Sequence, residues 1–138
     1  MKMAFGVSLG SNLSMDDIAG HSRVAEESGF THLGFVDQPF HDRDPWVNMT
    51  VAALNTSRIL IGQTVTDPFT HHPLVIANAT ASVNELSGGR AFVGIGAGGA
   101  GAKATFKPVS MEELKEVVQF IQKVTAGDEA EFRSVWAS

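Results

Sequence analysis

The stretch ILIGQTVTDPFTHHP, residues 59–73, changes within a few positions from an apolar run to a cluster of hydroxyl, carboxylate and imidazole groups. The apolar part predicts a buried strand, and Pro73 predicts the first turn of a helix. Buried polar groups without partners cost about 1 to 3 kcal/mol each, so we expect this strand to open into a cavity or a loop-supported site. The stretch therefore predicts a strand-to-helix unit with a ligand site at the carboxyl end of the strand.

Three further segments repeat the pattern of a short apolar strand followed by a helix. These strands are expected at residues 3–9, 33–36 and 91–95. Strand starts recur about every 30 residues, which predicts βα units with right-handed crossovers and a parallel sheet. All four units belong to a single predicted domain, residues 1–138. They span about 1–29, 30–57, 58–89 and 90–127, and a short tail covers 128–138.

The predicted helices carry clear start signals. Ser14 precedes an acidic first turn, Asp44 stands before Pro45, and Ser110 and Glu113 have capping-box spacing. The fold class is therefore α/β, and both a doubly wound sheet and part of a (βα)8 barrel fit the pattern. In either architecture, ligands bind at the carboxyl ends of the strands.

Composition excludes several classes of function. The chain has 138 residues, 43% of them hydrophobic, and a formal charge of −5 with ten basic residues spread thinly, so nucleic-acid binding is not expected. It has no cysteine, which excludes disulfides and thiolate metal sites. No apolar window reaches about 18 residues, and the first residues do not form a signal peptide. These features predict a cytoplasmic protein that acts on a small molecule, without contact with a membrane.

The glycine-rich segment 94–101 fits the GxGxxG pattern twice. A Rossmann fingerprint normally lies on the first βα turn, and its helix starts at once. Here the segment follows the fourth strand, and the next helix starts only at Ser110. We interpret the segment as backbone that a flat ligand can approach closely, and a plain flexible loop is the alternative.

Five histidines suggest a metal centre at first sight, but we predict none. Barrel hydrolases with two metals usually place an HxH pair on an early strand, and residues 8–10 contain no such ligand. His71 and His72 are interpreted as a loop that enters a helix, with one of them near the N-cap. A serine hydrolase is also not predicted, because the chain has no GxSxG motif. The residues that a metal centre would require are His41, His71, His72, Asp37 and Asp67, and His21 and His32 are interpreted as structural.

Three segments in a fixed order carry a family resemblance: residues 64–73, 84–91 and 94–98. Together they resemble the bacterial luciferase-like monooxygenase family, closest to the branch that uses the deazaflavin coenzyme F420. Residues 102–106 also resemble the loop after strand four in that branch. The family resemblance extends from Phe5 to about Phe132. It implies a TIM barrel that binds F420, or alternatively FMN, at the strand ends for hydride transfer or monooxygenation.

The resemblance also implies roles for individual residues. Asp37 takes the position of an acidic residue beside the ring or substrate, although a loop aspartate that caps a turn is the alternative. Gln38 follows where deazaflavin enzymes often have histidine, and an amide cannot titrate. The Thr64–Val65 position matches a bulge with a non-prolyl cis peptide, with an ordinary trans bulge as the alternative. The implied catalytic residue is Asp37, and the implied cofactor-binding residues are Ser8, Asp37, Gln38, Thr64, Val65, Thr66, Asp67, Gly96, Ala97 and Gly98.

The chain supplies four of the eight βα units of a TIM barrel, which takes about 250 residues. Strands 3–9 and 91–95 carry no charge and no proline to protect an open sheet edge. We therefore expect at least a dimer, either a homo-oligomer or a pair with a complementary half-barrel subunit. Two functions stay open: an oxidoreductase completed by assembly, and a non-catalytic half-barrel that serves as an assembly or binding module.

Overall fold

A computed structural model describes residues 3–10, 12–98 and 108–132. Four strands and four helices alternate along this part of the chain, as the sequence predicts, and the strands form one parallel sheet in the order β1-β2-β3-β4. The α/β half-barrel class is confirmed. The elements are β1 (Gly6–Leu9), α1 (Met15–Glu27), β2 (His32–Phe35), α2 (Pro45–Asn55), β3 (Leu60–Gln63), α3 (Pro73–Leu86), β4 (Ala91–Phe92) and α4 (Met111–Ala126).

The strands are shorter than the apolar runs suggest. β1 begins at Gly6 instead of residue 3, and β4 ends at Phe92 instead of residue 95. The ladder between β3 and β4 breaks off after the Gly62–Phe92 pair and resumes as a single bridge between Thr66 and Ile95. The break lies at Thr64–Val65, so the irregular backbone after β3 interrupts the pairing and β4 ends at Phe92.

The helix ends follow the sequence signals closely. Ser14 and Ser110 each form a capping box, and the Asp44 side chain accepts hydrogen bonds from two amides of the first turn of α2. His72 is the N-cap of α3, where its ring accepts the amide of Leu74. These caps confirm the predicted helix starts. None of the helices in the described ranges is long and apolar enough to cross a membrane.

The hydrophobic core lies between the sheet and the helices. Leu33 and Ile61 are completely buried there with Met49 of α2 and Ile76 of α3. Side chains alternate across a strand, so the neighbours of these residues point to the other face of the sheet. That face carries the exposed Ser8 and Leu60. In a closed (βα)8 barrel, the face opposite the helices forms the interior.

Glu26 connects the end of α1 to the segment just before β3 through hydrogen bonds. Its carboxylate accepts hydrogen bonds from the backbone amides of Ser57, Arg58 and Ile59, at 2.6 to 3.1 Å. Burial raises the pKa of Glu26, but the hydrogen bonds from Ile59, Arg58 and Ser57 outweigh this effect. They lower the pKa from its usual 4.5 to about 2. Glu26 is therefore expected to stabilise the fold only while it is ionised.

We expect part of the folding stability to disappear as the pH falls from 4.5 towards 2. The folded-state pKa is depressed, so the contribution of Glu26 is fully present above pH 4.5 and is lost as the folded state takes up the proton. Urea unfolding at several pH values should show a smaller acid-dependent loss in Glu26→Gln than in the parent chain. Glu27→Gln, next to it and exposed, is the matched control. Identical acid profiles for the parent and Glu26→Gln would contradict this role.

Candidate functional site at the strand ends

The parallel strands bring polar side chains from distant parts of the chain to one edge of the sheet. Ser8 of β1 and Thr64 after β3 share a hydrogen bond, with 2.9 Å between their hydroxyl oxygens. Thr66 donates a hydrogen bond from its hydroxyl to Asp37 Oδ2 at 2.6 Å. Four of the residues implied by the family resemblance therefore form two contacting pairs.

An apolar surface surrounded by polar groups lies at the end of β3. The Thr64–Val65 peptide bond is cis, as predicted, and Val65 is 48% exposed although its side chain is apolar. Gly96 lies against it, since a Cβ added there would stand 3.1 Å from Val65 Cγ2. The hydroxyls of Ser8 and Thr64 are exposed as well. The arrangement can support a flat ring and offers hydroxyl groups for its polar edge.

Asp37 lies deeper than a loop position suggests. Its side chain is only 1% exposed, and its carboxylate is held by Thr66, which is itself completely buried. His71 Nε2 lies 3.1 Å from Asp37 Oδ2 and 3.3 Å from Oδ1. A buried carboxylate is stabilised by such partners, so Asp37, Thr66 and His71 form one connected cluster.

The sequence analysis considered His71 only as a metal ligand and interpreted it as part of a loop, so its contact with Asp37 was not predicted. Its ring stands edge-on against Trp46, with 4.9 Å between centroids, and the Trp46 indole N–H donates to Thr80 at 3.1 Å. The hydrogen bond to Asp37 raises the pKa of His71 above its usual value, although burial opposes the rise. Asp37 and His71 are 34 residues apart, so the fold brings them together and no local sequence signal pairs them.

The other predicted site residues are partly exposed around this edge. The Gln38 carbonyl accepts hydrogen bonds from the backbone amides of His41 and Asp42. Asp67 Oδ1 accepts hydrogen bonds from the backbone amides of Phe69 and Thr70. Gly98, at φ +88, lies beside Asp67. Gly96 and Ala97 complete the set. Residues 99–107, which include the end of the glycine pattern and the segment 102–106, lie outside the described residues.

Within the described ranges, no group of three or more histidine, aspartate or glutamate side chains could hold a metal ion. The two neighbouring histidines have separate contacts: His71 is bound to Asp37, whereas the His72 ring caps α3 and packs edge-on against Phe132 at 5.5 Å.

Gln63 is a buried polar residue next to the site whose amide group has no partner. Its side chain is completely inaccessible, and neither its oxygen nor its nitrogen makes a hydrogen bond. It follows Ile59 and Ile61 on the helix-facing side of β3, so it lies within the apolar layer. Such a group retains its desolvation cost without compensation.

We expect Gln63→Met to raise the unfolding free energy by about 1 kcal/mol, because an apolar side chain of similar shape removes an uncompensated polar group. Urea unfolding of the parent and the variant measures the change. Gln122→Met, at an exposed position of α4, is the control for a general effect of the substitution. An equal or lower stability of Gln63→Met would show that the amide has a partner in solution, such as a bound water.

A parallel sheet of βα units with its polar site at the carboxyl ends of the strands defines the chain as half of a (βα)8 barrel. Residues 3–135 match the luciferase-like monooxygenase family over nearly the whole chain. The chain belongs to that family.

The chain is similar to longer proteins of known activity. It is 32% identical over 131 residues to the 5,10-methylenetetrahydromethanopterin reductase of Archaeoglobus fulgidus, covering 91% of this chain and 38% of the relative. The coenzyme F420 dependent tetrahydromethanopterin reductase structure from Methanopyrus kandleri superposes with a TM-score of 0.86 and 28% identity, over 97% of this chain and 43% of that one. The chain thus spans about two fifths of the length of these proteins.

A second solved structure shows the same fold in complex with FMN. It is the oxygenating constituent of 3,6-diketocamphane monooxygenase from Pseudomonas putida, in complex with FMN. The TM-score is 0.76 and the identity 17%, over 99% of this chain and 43% of that one. At this identity the similarity concerns the fold alone.

Proposed function

We propose that the chain supplies the cofactor-binding half of a deazaflavin-dependent oxidoreductase that transfers a hydride between coenzyme F420 and a small-molecule substrate. The observation that carries the proposal is the exposed apolar side chain of Val65 beside the hydroxyl pair of Ser8 and Thr64. Family membership and the likeness to F420-dependent relatives support it. FMN is the second candidate cofactor, supported by a likeness of fold.

The residues at the strand ends fit a tricyclic ring. Val65 offers an apolar surface for the ring face, and Gly96 leaves the neighbouring backbone without a side chain. Ser8 and Thr64 provide hydroxyls for the polar ring edge. The partly exposed residues around them, which complete the proposed site, are Gln38, Asp67, Ala97 and Gly98. The cofactor would carry the hydride, and these residues would bind and orient the ring.

The buried cluster behind this surface would fix the geometry of the site. Thr66 holds the Asp37 carboxylate, and Asp37 in turn holds the partly exposed His71. The proposed role of Asp37 is therefore to orient its neighbours from below the surface that binds the ligand. A charge placed this deep is worth more electrostatically than one in water, so its loss should affect ligand use.

Completion of the site by a partner is part of the proposal. A cavity of about 470 Å³ opens beside β4, between α3 and α4. Its apolar lining includes Phe92, Ile95, Val118 and Ile121. The edge of β4 is also free to pair with another strand within the described part of the chain. We propose that a second copy or a complementary half-barrel subunit fills this cavity and closes the barrel.

Spectral titration tests the cofactor assignment. Addition of F420 to the assembled protein should shift the deazaflavin absorbance with saturation, and addition of FMN should give weaker binding. Val65→Glu should weaken F420 binding at least about tenfold, because it places a charge against the ring. Val75→Glu is the matched control, because Val75 on α3 is exposed to a similar extent, 52% against 48%.

Three outcomes would contradict parts of the proposal. Equal binding by Val65→Glu and Val75→Glu would place the cofactor elsewhere. The absence of binding by either cofactor would favour the second function, a non-catalytic half-barrel that serves as an assembly or binding module. Light scattering on the same samples measures the oligomeric state, and a homogeneous monomer that unfolds cooperatively would contradict assembly through the open edge.

A further inference from the structure

We propose that His71 is the proton-exchanging group of the strand-end site and that Asp37 positions it; the inference rests on the function proposed above. No feature of the sequence singled out His71 for this role. It follows from how four buried or half-buried side chains around its imidazole ring are arranged.

The first step of the argument is the bond between the two residues. His71 Nε2 is within 3.3 Å of both carboxylate oxygens of Asp37, and the Asp37 side chain is 1% exposed. Thr66 donates to the same carboxylate at 2.6 Å. A carboxylate accepts hydrogen bonds. The Thr66 hydroxyl is one donor to it, and His71 Nε2, which then carries a proton, is the second.

The second step is the orientation of the ring. Trp46 packs edge-on against the imidazole, at 86° between the planes, and Thr80 fixes the indole of Trp46. His71 Nε2 is occupied by Asp37, and no partner of Nδ1 lies among the described residues. The His71 side chain remains 21% exposed, in contrast to the buried Asp37. Nδ1 is therefore the ring atom left to exchange a proton with a ligand.

The third step is the charge around the ring. The carboxylates that act on His71 come from three elements: Asp37 after β2, Asp44 at the start of α2 and Asp67 after β3. The hydrogen bond to Asp37 raises the pKa of His71, while burial works in the opposite direction. His72, the next residue, accepts the amide of Leu74 through its own Nδ1 and serves the helix. His71 thus holds its proton at a higher pH than an ordinary histidine.

The chemistry of the proposed reaction needs such a group. When a carbon that bears a hydroxyl loses hydride to the cofactor, the hydroxyl proton must leave, and a carbonyl forms. Neutral His71 would accept this proton at Nδ1. In the reverse direction the imidazolium would return the proton to the oxygen as the carbon gains hydride. The Asp37 carboxylate would stabilise the charged imidazole through its contact with Nε2.

Histidine NMR titration of the protein tests the pair without any turnover. His71 should titrate above the usual histidine pKa of about 6.5, and it should show the tautomer with the proton on Nε2 when neutral. Asp37→Asn should weaken proton binding by His71 about tenfold and leave His41 unchanged. If His71 titrates at or below the usual histidine pKa, or if Asp37→Asn leaves its titration unchanged, the proposal is overturned.

Chemical modification tests the place of His71 in the site. Diethylpyrocarbonate should modify His71 in the protein alone, and saturating F420 should protect His71 but not His41, as mass spectrometry of the peptides would show. If F420 binds in the spectral titration but leaves His71 unprotected, the proton-exchange role is overturned while the proposed function stands. If F420 does not bind at all, the proposed function fails and the role of His71 fails with it, whereas the NMR titration still decides the pairing with Asp37.

Discussion

Replacement of Arg90 with alanine is expected to lower the unfolding free energy by about 3 kcal/mol, since hydrogen bonds to charged groups contribute about 1.5 to 3 kcal/mol. The guanidinium donates five hydrogen bonds at 2.8 to 3.0 Å. The acceptors are the carbonyls of Ala53, Thr56, Ile59 and Ser87 and the hydroxyl of Thr56. The carbonyls of Ala53, Thr56 and Ser87 lie at or just beyond the carboxyl ends of α2 and α3. Carbonyls at a helix end have no amide partner within the helix. Without Arg90 they would lose their donors together.

Urea unfolding of three proteins measures this effect. Arg90→Lys should recover only a small part of the loss, because an ammonium group cannot reproduce the planar fork of five donors. Arg58→Ala, which removes the same charge from an exposed side chain nearby, is the control and should stay within about 0.5 kcal/mol of the parent. Equal losses in Arg90→Ala and Arg58→Ala would show that only the net charge matters.

The role of Arg90 illustrates what the sequence alone can and cannot predict. Residues 84–91 identified the family, but the function of the arginine depends on carbonyls at residues 53–59, which are brought to it by the fold. Helix starts were predicted correctly because a cap such as Ser14 or Asp44 interacts with amides two or three residues away. Contacts between residues close in the sequence can therefore be predicted from the sequence, whereas contacts between successive βα units cannot.

The candidate site shows the same limit. The family resemblance implied Ser8 and Thr64 as site residues at the strand ends, and the two side chains share a hydrogen bond. It could not show that Asp37 is buried or that His71 binds it, because both facts depend on which way each side chain points after the strand ends. Strand parity predicts orientation only within a regular strand, and the ladder breaks at Thr64–Val65.

The glycines of segment 94–98 are expected to have different roles, which a pair of alanine substitutions can separate. A Cβ at Gly94 would lie 2.4 Å from the backbone oxygen of Gln63, whereas one at Gly96 would meet only the Val65 side chain, at 3.1 Å. Backbone in a sheet cannot move away as a side chain can. Gly94→Ala is therefore expected to lower the unfolding free energy by about 3 kcal/mol, the upper part of the range for overpacking.

Gly96→Ala should cost less than about 1 kcal/mol, because a small rotation of Val65 relieves the contact. Its effect should appear instead in the F420 titration, since the added methyl group and the displaced Val65 alter the surface proposed to support the ring. Urea unfolding and spectral titration of both variants give four values. The expected pattern is a loss of stability for Gly94→Ala and a loss of affinity, with a nearly unchanged unfolding midpoint, for Gly96→Ala. If Gly96→Ala is the less stable variant, the absence of a side chain at Gly96 serves the packing against Val65. If Gly96→Ala binds F420 like the parent, the ring surface proposed at Val65 and Gly96 is contradicted.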